Sequence, residues 1–386
     1  MKISLSKEQL CDALSVAVTA ISNNSTLPVM AGVLLRAEDK SVTFEATDLD
    51  SSCKIVTSAL VEEEGQAVLP GKLFYDIIKT CEDSRVSVTT DDTKAFITCE
   101  QAAFSTNVLN AEEFPGFPDV ETISRIEIPF DKFQTMVKKV IKAASKDDSK
   151  GIFTGVFVEV KNGKVRTVTS DSYRVAVAEE SVETDSGVEF SAVIPPHFLN
   201  EITSLNAKGE MLTLAYNENQ VIIQTGEVTF INRRLQGQFP EYQKLINSSN
   251  ETTVVVDKST LVSAIKRVSV LRDDNTPITF DVDIQKETLQ LSVNASSSGV
   301  ATEVLSVKCT GDNCNVGFDA GYLNDGLGAV STNDVLLTLS ANKQPAHIAP
   351  CVVKHDEFSF DEVKETQDNM LKNKFLYLVM PVLQTN

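Results

Sequence analysis

The chain has few of the residues and motifs on which enzymes rely. Its 386 residues include only three histidines, which are scattered at His197, His347 and His355. The nucleotide-binding and hydrolase patterns GxGxxG, GxxxxGK[ST], GxSxG and HExxH are missing. The few histidines leave little from which to build a catalytic triad or a metal cluster. These absences favour a binding protein over an enzyme, and we expect neither a cofactor nor a metal.

Membrane-spanning and disulfide-forming patterns are missing as well. No apolar run approaches the roughly 18 residues of a membrane helix, and the opening MKISLSKEQL does not resemble a signal peptide. The seven cysteines are odd in number and include no CxxC pair. Cys309 and Cys314 lack a companion pair, which favours buried thiols over a zinc site. A chain of this length does not need disulfides, so we expect reduced thiols, a cytoplasmic location and no membrane partner.

Acidic residues outnumber basic ones by a wide margin. The chain has 54 acids and 35 bases, which gives a formal net charge of −19. Taken alone, this charge argues against a protein that coats nucleic acid, because phosphates would be repelled. The bases are unevenly placed, however, and their placement carries more information than the sum.

One order of elements occurs three times along the chain: a helix, strands, a second helix and further strands. The first helix, predicted over residues 6–22 with a capping box at Ser6 and Gln9, has two later counterparts. The repeat is marked by pairs and triplets of residues at similar spacings, namely Leu10, Phe133 and Leu261 (123 and 128 residues), Pro70, Pro195 and Asp319 (125 and 124), Thr47-Asp48 and Ser170-Asp171 (123), and Phe114-Pro115 and Phe239-Pro240 (125).

These spacings predict an α+β protein of three repeated domains, over residues 1–124, 125–250 and 251–386. Each domain has two helices. Each helix has one apolar face, and both faces must be buried against a sheet. Short turns between successive strands indicate antiparallel sheets. The repeat alone allows either a linear three-domain rod or a closed ring.

The predicted helix Asp131–Ser145 has an outer face without acids. Its apolar stripe contains Phe133, Met136 and Val140, and the bases around the other side are Lys132, Lys138, Lys139, Lys142, Lys146 and, just beyond, Lys150. Similar bases occur on the third-domain helix (Lys258, Lys266, Arg267, Arg272) and on the second helix of the first domain (Lys72, Lys79). Such a face can simply be solvated. Its recurrence in an acidic protein indicates contacts with phosphates that are independent of sequence and sensitive to salt.

Two acidic pairs offer a catalytic alternative. Asp147-Asp148 and Asp273-Asp274 follow the first helix of the second and third domains and could hold Mg²⁺ in an enzyme. Aspartate is also favoured in turns, and we prefer that interpretation.

At family level the chain resembles the bacterial DNA polymerase III beta subunit, the sliding clamp. The segments that carry the resemblance run in family order, and they are STLPVMAGVLL (25–35), TDLD (47–50), LPGKLFYDII (69–78), GIFTGVFVEV (151–160), SDSYRVAV (170–177), QFPEYQKLI (238–246), GFDAGYLNDGL (317–327) and YLVMPV (377–382). The resemblance implies a head-to-tail dimeric ring that encircles duplex DNA and makes the replicative polymerase processive. A clamp-like adaptor that binds peptides without closing on DNA is the alternative.

The resemblance also implies sites. The first helix of each domain would line the pore, and the expected DNA-binding residues are Lys72, Lys138, Lys139, Lys142, Lys146, Lys150, Lys266 and Arg267. At the dimer seam, Phe104 would lie opposite Val270 and Leu271. Peptides from the polymerase alpha subunit, the clamp loader and repair proteins would bind a pocket of Phe153, Ser170, Ser172, Tyr173, Arg174, Val175, Pro240, Lys244, Leu245, Leu378, Met380, Pro381 and Val382.

The chain departs from the family pattern in two places near that pocket. Ser172-Tyr173-Arg174 stands where the family commonly has Gly-His-Arg, so we expect a narrower pocket. The segment Cys351 to Lys374 is longer and more charged than the family pattern, and we expect an exposed excursion there.

Overall fold

The computed structural model describes residues 1–22, 27–120, 124–183, 189–246, 250–273, 276–341, 344–351 and 374–382. Most of the expected excursion between Cys351 and Lys374 lies outside these residues, as does Asp274. None of the helices within these ranges is both long enough and apolar enough to span a bilayer.

The described residues form seven α-helices, of which six carry the repeat and one, of four residues, does not. They are α1 (Lys7–Ala17), α2 (Gly71–Thr80), α3 (Phe130–Val140), α4 (Pro196–Ser204), α5 (Gln243–Ile246), α6 (Lys258–Val268) and α7 (Ala320–Ala329). The capping box predicted at the start of α1 forms, since the Ser6 hydroxyl accepts from the Gln9 amide at 3.2 Å and the Gln9 side chain accepts from the Ser6 amide at 3.1 Å. The helix ends at Ala17, earlier than predicted, because the Thr19 and Ala20 amides bond the carbonyls three residues back in tight turns.

The strands follow the threefold order. In the first third they are β1 (Lys2–Ser6), β2 (Gly32–Glu38), β3 (Ser41–Thr47), β4 (Ser51–Ser58), β5 (Leu60–Glu63), β6 (Gly65–Pro70), β7 (Arg85–Thr90), β8 (Lys94–Cys99) and β9 (Ala102–Asn107). In the second third they are β10 (Ser124–Pro129), β11 (Val156–Lys161), β12 (Lys164–Ser170), β13 (Arg174–Ser181), β14 (Phe190–Ile194), β15 (Met211–Tyr216), β16 (Gln220–Thr225) and β17 (Val228–Arg233).

The last third completes the repeat. Its strands are β18 (Thr252–Asp257), β19 (Ile278–Asp283), β20 (Thr288–Ala295), β21 (Gly299–Ser306), β22 (Lys308–Gly311), β23 (Cys314–Phe318), β24 (Asp334–Leu339), β25 (Ala346–Cys351) and β26 (Phe375–Val379). The predicted class is confirmed: three domains of helices and antiparallel sheets.

The chain forms two compact units, each with two sheets. The first unit, Met1–Phe133 with Glu183–Arg234, contains a five-stranded sheet in the order β5-β1-β7-β8-β9 and an eight-stranded sheet in the order β10-β15-β16-β17-β4-β3-β2-β6. In the second unit, Gln134–Val182 with Leu235–Asn386, one sheet contains the run β11-β12-β13-β26-β25-β24-β18-β22 and the other has the order β21-β20-β19-β23.

One type of junction joins domains inside each of the larger sheets. In the first unit β17 pairs antiparallel with β4, with Phe230 opposite Cys53. In the second unit β26 pairs antiparallel with β13, with Tyr377 opposite Ala176. In the repeat, β9 of the first domain corresponds to β17 and β26. Strand β21 of the third domain corresponds to β4 and β13. Both are edge strands, so the first unit has an open edge of the β17 and β26 type and the second unit has an open edge of the β4 and β13 type.

The apolar helix faces are buried as the periodicity predicts. Leu10 and Leu14 of α1, and Leu261 and Ile265 of α6, have no exposed surface. In α3 the stripe Phe133, Met136, Val137 and Val140 is at most 2% exposed. Burial of side chains of this size contributes roughly 1.5–3 kcal/mol each to the hydrophobic free energy of folding.

Candidate functional site

Three of the predicted DNA-binding lysines extend from α3 and its continuation into solvent. Helix α3 ends at Val140 and continues as a 3-10 turn over Ile141–Ala143. Lys138, Lys142 and Lys146 are exposed, and we refer to these three as the lysine face. Because the buried stripe fixes which side of the helix turns inward, the lysines follow from the same periodicity.

Two other lysines predicted for the same face lie elsewhere. The Lys139 side chain is half-buried, its ammonium lies 5.8 Å from the centre of the Phe375 ring, and burial lowers its pKa. The Lys150 ammonium donates to the Asp171 carbonyl at 2.9 Å and lies 4.9 Å from the centre of the Tyr173 ring. Lys150 therefore belongs with the residues predicted for peptide binding.

The remaining predicted DNA-binding residues are exposed on two further helices. Lys72 lies near the start of α2, and Lys266 and Arg267 lie near the end of α6. Arg267 already has an acidic partner, since its Nε donates to Glu303 at 2.9 Å. That ion pair would have to be shared or broken before Arg267 could contact a phosphate.

The predicted peptide-binding residues of β13 and β26 converge through the sheet. Val175 lies opposite Leu378 in the ladder between these strands. Beyond the ladder, the Met380 amide donates to the Tyr173 carbonyl at 2.8 Å, and the Val382 amide donates to the Gly317 carbonyl at 2.8 Å. These bonds hold Met380 beside the start of β13 and Val382 beside β23.

Four of these residues expose apolar side chains. Relative exposure is 56% for Tyr173, 39% for Leu245 and 37% for both Met380 and Val382, and we refer to the four as the apolar patch. Leu245 is tied to the same region, because its backbone bonds to the side chain of His347, which lies opposite Leu378. Exposed apolar side chains grouped in this way mark interaction surfaces.

The other residues predicted for the pocket have partners close to them in the sequence. Phe153 is half-buried, and its carbonyl accepts from the Ser145 amide at 2.9 Å. Pro240 is exposed, and its carbonyl accepts from the Tyr242 amide at 2.9 Å. Lys244 is exposed and forms an ion pair with Glu241 at 2.6 Å. Ser170 is buried, and its hydroxyl accepts from the Ser172 amide at 3.2 Å.

Arg174, predicted as a residue of the peptide pocket, has its guanidinium engaged by partners within the chain. Its Nε donates to Asp171 at 2.8 Å, and its two terminal nitrogens donate to Asp325 at 2.7 Å and to the Lys142 carbonyl at 2.8 Å. The side chain is only 7% exposed. Burial opposes its charge, but Tyr377, Asp325 and Asp171 outweigh burial and raise the pKa of the guanidinium. Arg174 is therefore a structural centre under the apolar patch.

The turn before Arg174 has a backbone conformation that favours glycine. Ser172 has φ +82°, in the left-handed region, at the position where the resembling family has glycine. This turn places the Tyr173 ring against the Tyr322 ring, with the centroids 6.4 Å apart and the planes at 22°.

Sequence reasoning did not include Tyr322, Asp325 and Tyr377 in the site. The Tyr377 hydroxyl donates to the Tyr322 carbonyl at 2.9 Å and also accepts from Arg174 at 3.3 Å. Tyr322 and Asp325 lie inside the segment GFDAGYLNDGL, which already carried the family resemblance. That segment was the signal from which both could have been found.

The residues predicted for a dimer seam lie at the open sheet edges. Phe104 is half-buried in edge strand β9 of the first unit. In the second unit Val270 is 79% exposed and Leu271 half-buried, in a 3-10 turn that contacts edge strand β21.

The acidic pair Asp147-Asp148 has the geometry of a turn. The Asp147 carboxylate accepts from the Ser149 amide at 3.0 Å and from the Ser149 hydroxyl at 2.7 Å. These bonds lower the pKa of Asp147. Within the described ranges no three His, Cys, Asp or Glu side chains are grouped closely enough to bind a metal ion.

Comparison with known proteins covers almost the whole chain. Residues 1–118, 127–241 and 243–358 match the N-terminal, central and C-terminal domain models of the DNA polymerase III beta subunit. The beta sliding clamp of Synechocystis sp. is 30% identical over 374 residues, which covers 91% of this chain and 96% of the relative. The beta sliding clamp of Streptomyces coelicolor is 26% identical and covers 99% of both chains.

Solved structures have the same fold over their full length. The sliding clamp of Pseudomonas aeruginosa bound to griselimycin has a TM-score of 0.90 at 22% identity, with complete coverage of both chains. The sliding clamp of Bacillus subtilis has a TM-score of 0.88 at 23% identity, again with complete coverage.

Proposed function

The chain belongs to the family of the DNA polymerase III beta subunit, and we propose that it serves DNA replication as a sliding clamp. Two copies would close head to tail around duplex DNA and tether the replicative polymerase without chemistry of their own. Dissociation would then require opening of the ring, so the tether persists while the contacts to DNA remain weak. The domains would occupy residues 1–124, 125–250 and 251–386.

The observation that carries the dimer is the junction present in each unit. In β17 and in β26, an aromatic side chain lies opposite an isoleucine of the preceding strand, Phe230 with Ile223 and Tyr377 with Ile348. On its other side, the same aromatic residue lies opposite a residue in a strand of the neighbouring domain. Strand β9 repeats the pattern with Phe104 opposite Ile97, but its other side is an open edge. An open edge strand of this kind is a template for pairing with another chain.

The repeat also fixes the expected register of the seam. Phe230 lies opposite Cys53, which pairs with Ala46, and Tyr377 lies opposite Ala176, which pairs with Thr169. In the third domain the position that corresponds to Ala46 and Thr169 is Val293, which pairs with Ala301. Phe104 of one copy should therefore lie opposite Ala301 of the second copy. The five-stranded and four-stranded sheets would then form one continuous sheet.

Basic side chains supply the proposed contact with DNA. Lys138, Lys142 and Lys146 are compact point charges, so they would contact phosphates in any sequence. Lys266 in the second unit and Lys72 in the first unit are exposed as well, and we propose that each also contacts phosphates. Repulsion from the acids elsewhere on a chain of net charge −19 would confine DNA to these lysines.

The apolar patch is the proposed docking site for peptides from the polymerase alpha subunit, the clamp loader and repair proteins. Its exposed side chains offer an apolar surface, and Lys150 adds a cation beside Tyr173. The sliding clamp of Pseudomonas aeruginosa binds griselimycin, which makes this compound a practical probe for the patch.

Retention on circular DNA tests the proposed function. We expect a dimer in solution at micromolar concentration, measured by light scattering. After loading by a bacterial clamp loader with ATP, the protein should co-elute with a nicked circular plasmid in gel filtration and be released when the plasmid is linearised. Equal retention on linear and circular DNA, or a monomer at every concentration, would contradict the clamp and favour an adaptor that only binds peptides.

A further inference from the structure

The first unit contains a cavity that the proposed function does not use. Its volume is about 460 Å³, within the range of small-molecule sites. Its walls come from α1, β4, the end of α4 with the loop that follows, and the turn between β16 and β17. The cavity has an apolar floor, where Ala13, Ile55 and Phe230 are each at most 5% exposed.

Every charged residue of the cavity lining is an acid. The four carboxylates are Asp12, Glu201, Glu210 and Glu227, and no lysine or arginine lies among the lining residues. Uncharged hydrogen-bonding side chains fill the remainder, including Ser15, Thr19 and Asn206. A ligand would therefore have to be cationic, with N–H donors and an apolar part that covers the floor.

Glu201 is the carboxylate most removed from water. It is half-buried, whereas Asp12, Glu210 and Glu227 are exposed, and burial raises the pKa of Glu201 to about 7, although a hydrogen bond from Thr19 partly opposes the shift. No cationic side chain in the described part of the chain forms a salt bridge with Glu201. A bound ammonium group would supply the missing counter-charge.

The arrangement of the acids favours an organic cation over a metal ion as the ligand. A hard divalent cation needs several oxygens that converge on one point, at about 2.0–2.6 Å. Among the described residues, these carboxylates form no group of three that could hold a metal ion. They line one cavity from several sides instead, an arrangement that matches two separated positive charges joined by a hydrocarbon chain that covers the apolar side chains of the lining.

We propose that this cavity binds an aliphatic diamine or polyamine, with one ammonium group at Glu201 and the other near the exposed carboxylates of the rim. The site does not rest on the clamp proposal, because all its residues lie in the first unit of one chain and its test uses no DNA. Bound amine would lower the negative charge around α1 and α4, on which acids outnumber bases.

Calorimetric titration without DNA tests the site. The probe is 1,4-diaminobutane, and 1,4-butanediol and Mg²⁺ are the comparison ligands at matched ionic strength. We expect one diamine per chain, no heat from the diol and no competition by millimolar Mg²⁺. The double variant Asp12→Asn/Glu201→Gln should bind the diamine at least tenfold more weakly.

A matched variant controls for general attraction to an acidic protein. Asp92→Asn/Glu112→Gln removes the same two charges from exposed positions outside the cavity and should bind like the wild type. Thermal unfolding of both variants checks that they fold. Equal weakening in both double variants, absence of diamine binding to the wild type, or displacement of the diamine by Mg²⁺ would overturn the proposal. None of these results would bear on retention of the protein on circular DNA.

Discussion

At the scale of single residues, the partners of a side chain in the folded chain were difficult to predict. The sequence predicted Arg174 as a peptide-binding residue, and the structure buries its side chain with Asp171 and Asp325 as acidic partners. Asp171 is only three residues before Arg174, but Asp325 is 151 residues away along the chain, so no local pattern indicates this second acidic partner. The contact between Lys150 and Tyr173 was also not predictable from a local pattern, because the position of Lys150 over the Tyr173 ring depends on a turn that only the folded chain forms.

Glu201 gives a residue-scale prediction about pH and stability. Its pKa is raised from 4.5 to about 7 in the folded chain, so folding favours the protonated carboxyl. The stability that this provides is present below pH 4.5 and is lost as pH rises from 4.5 through 7. One pKa unit corresponds to ~1.4 kcal/mol, and partial exposure reduces the total, so we expect a loss on the order of 1–2 kcal/mol.

The variant Glu201→Gln should remove this dependence. Chemical denaturation without amine should find the variant and the wild type similar near pH 4.5, and the variant more stable at pH 8 by about 1–2 kcal/mol. Glu112→Gln, at an exposed position, should leave the pH profile unchanged. A Glu201→Gln profile parallel to that of the wild type would show that Glu201 titrates normally.

At the scale of elements, periodicity predicted the helices because their buried stripes are local. The stripe of α3 and its counterparts in α1 and α6 are buried as expected. The outer face was predicted less well. Lys139 follows the sequence spacing of the lysine face, but its ammonium lies over Phe375, which a strand more than 200 residues later brings to the helix. Spacing along one helix cannot predict a neighbour from a distant strand.

The lysine face and the apolar patch should be separable by mutation. Replacing Lys138, Lys142 and Lys146 with Glu should impair binding of DNA, because three phosphate contacts are lost. Each contact contributes a slope of about 0.9 to the dependence of log K on log salt, so the magnitude of the slope should fall by roughly 3. Griselimycin affinity, measured by calorimetry, should remain unchanged. The double variant Met380→Ala/Val382→Ala should show the opposite pattern, with intact DNA binding and at least tenfold weaker griselimycin binding.

A second triple variant controls for net charge. Lys40, Lys94 and Lys208 are exposed outside the lysine face, and replacing them with Glu gives the same change in charge. We expect this variant to keep most of its DNA affinity and its salt slope. If both triple variants lose DNA binding equally, total charge decides the affinity and the lysine face has no special role.

At the scale of the whole molecule, the threefold repeat could be predicted from the sequence, but the way in which a ring would close could not. The repeat spacings predicted three domains and left both a rod and a ring open. The sheet order narrows the choice between rod and ring. Strands β9 and β21 are the counterparts of the strands that join domains within each unit, and each lacks a partner on one side because it lies at a sheet edge. Residue patterns alone could not show this, since the two edge strands differ in sequence and are recognisable only by their place in the sheets.

A disulfide across the seam tests closure and register together. With Phe104 opposite Ala301 of the second copy, Ala103 should lie opposite Thr302, and both are exposed. In a Cys11→Ser background, Ala103→Cys/Thr302→Cys should oxidise to a covalent dimer, because directly opposite strand residues have Cβ atoms about 4.5–5.5 Å apart, close to disulfide geometry. Ala103→Cys/Val300→Cys, displaced by two residues, should crosslink poorly. If the dimer is oxidised on nicked circular plasmid, it should remain with the DNA in detergent, and a single cut should release it. Release from the uncut circle would show that the chains pair without enclosing DNA.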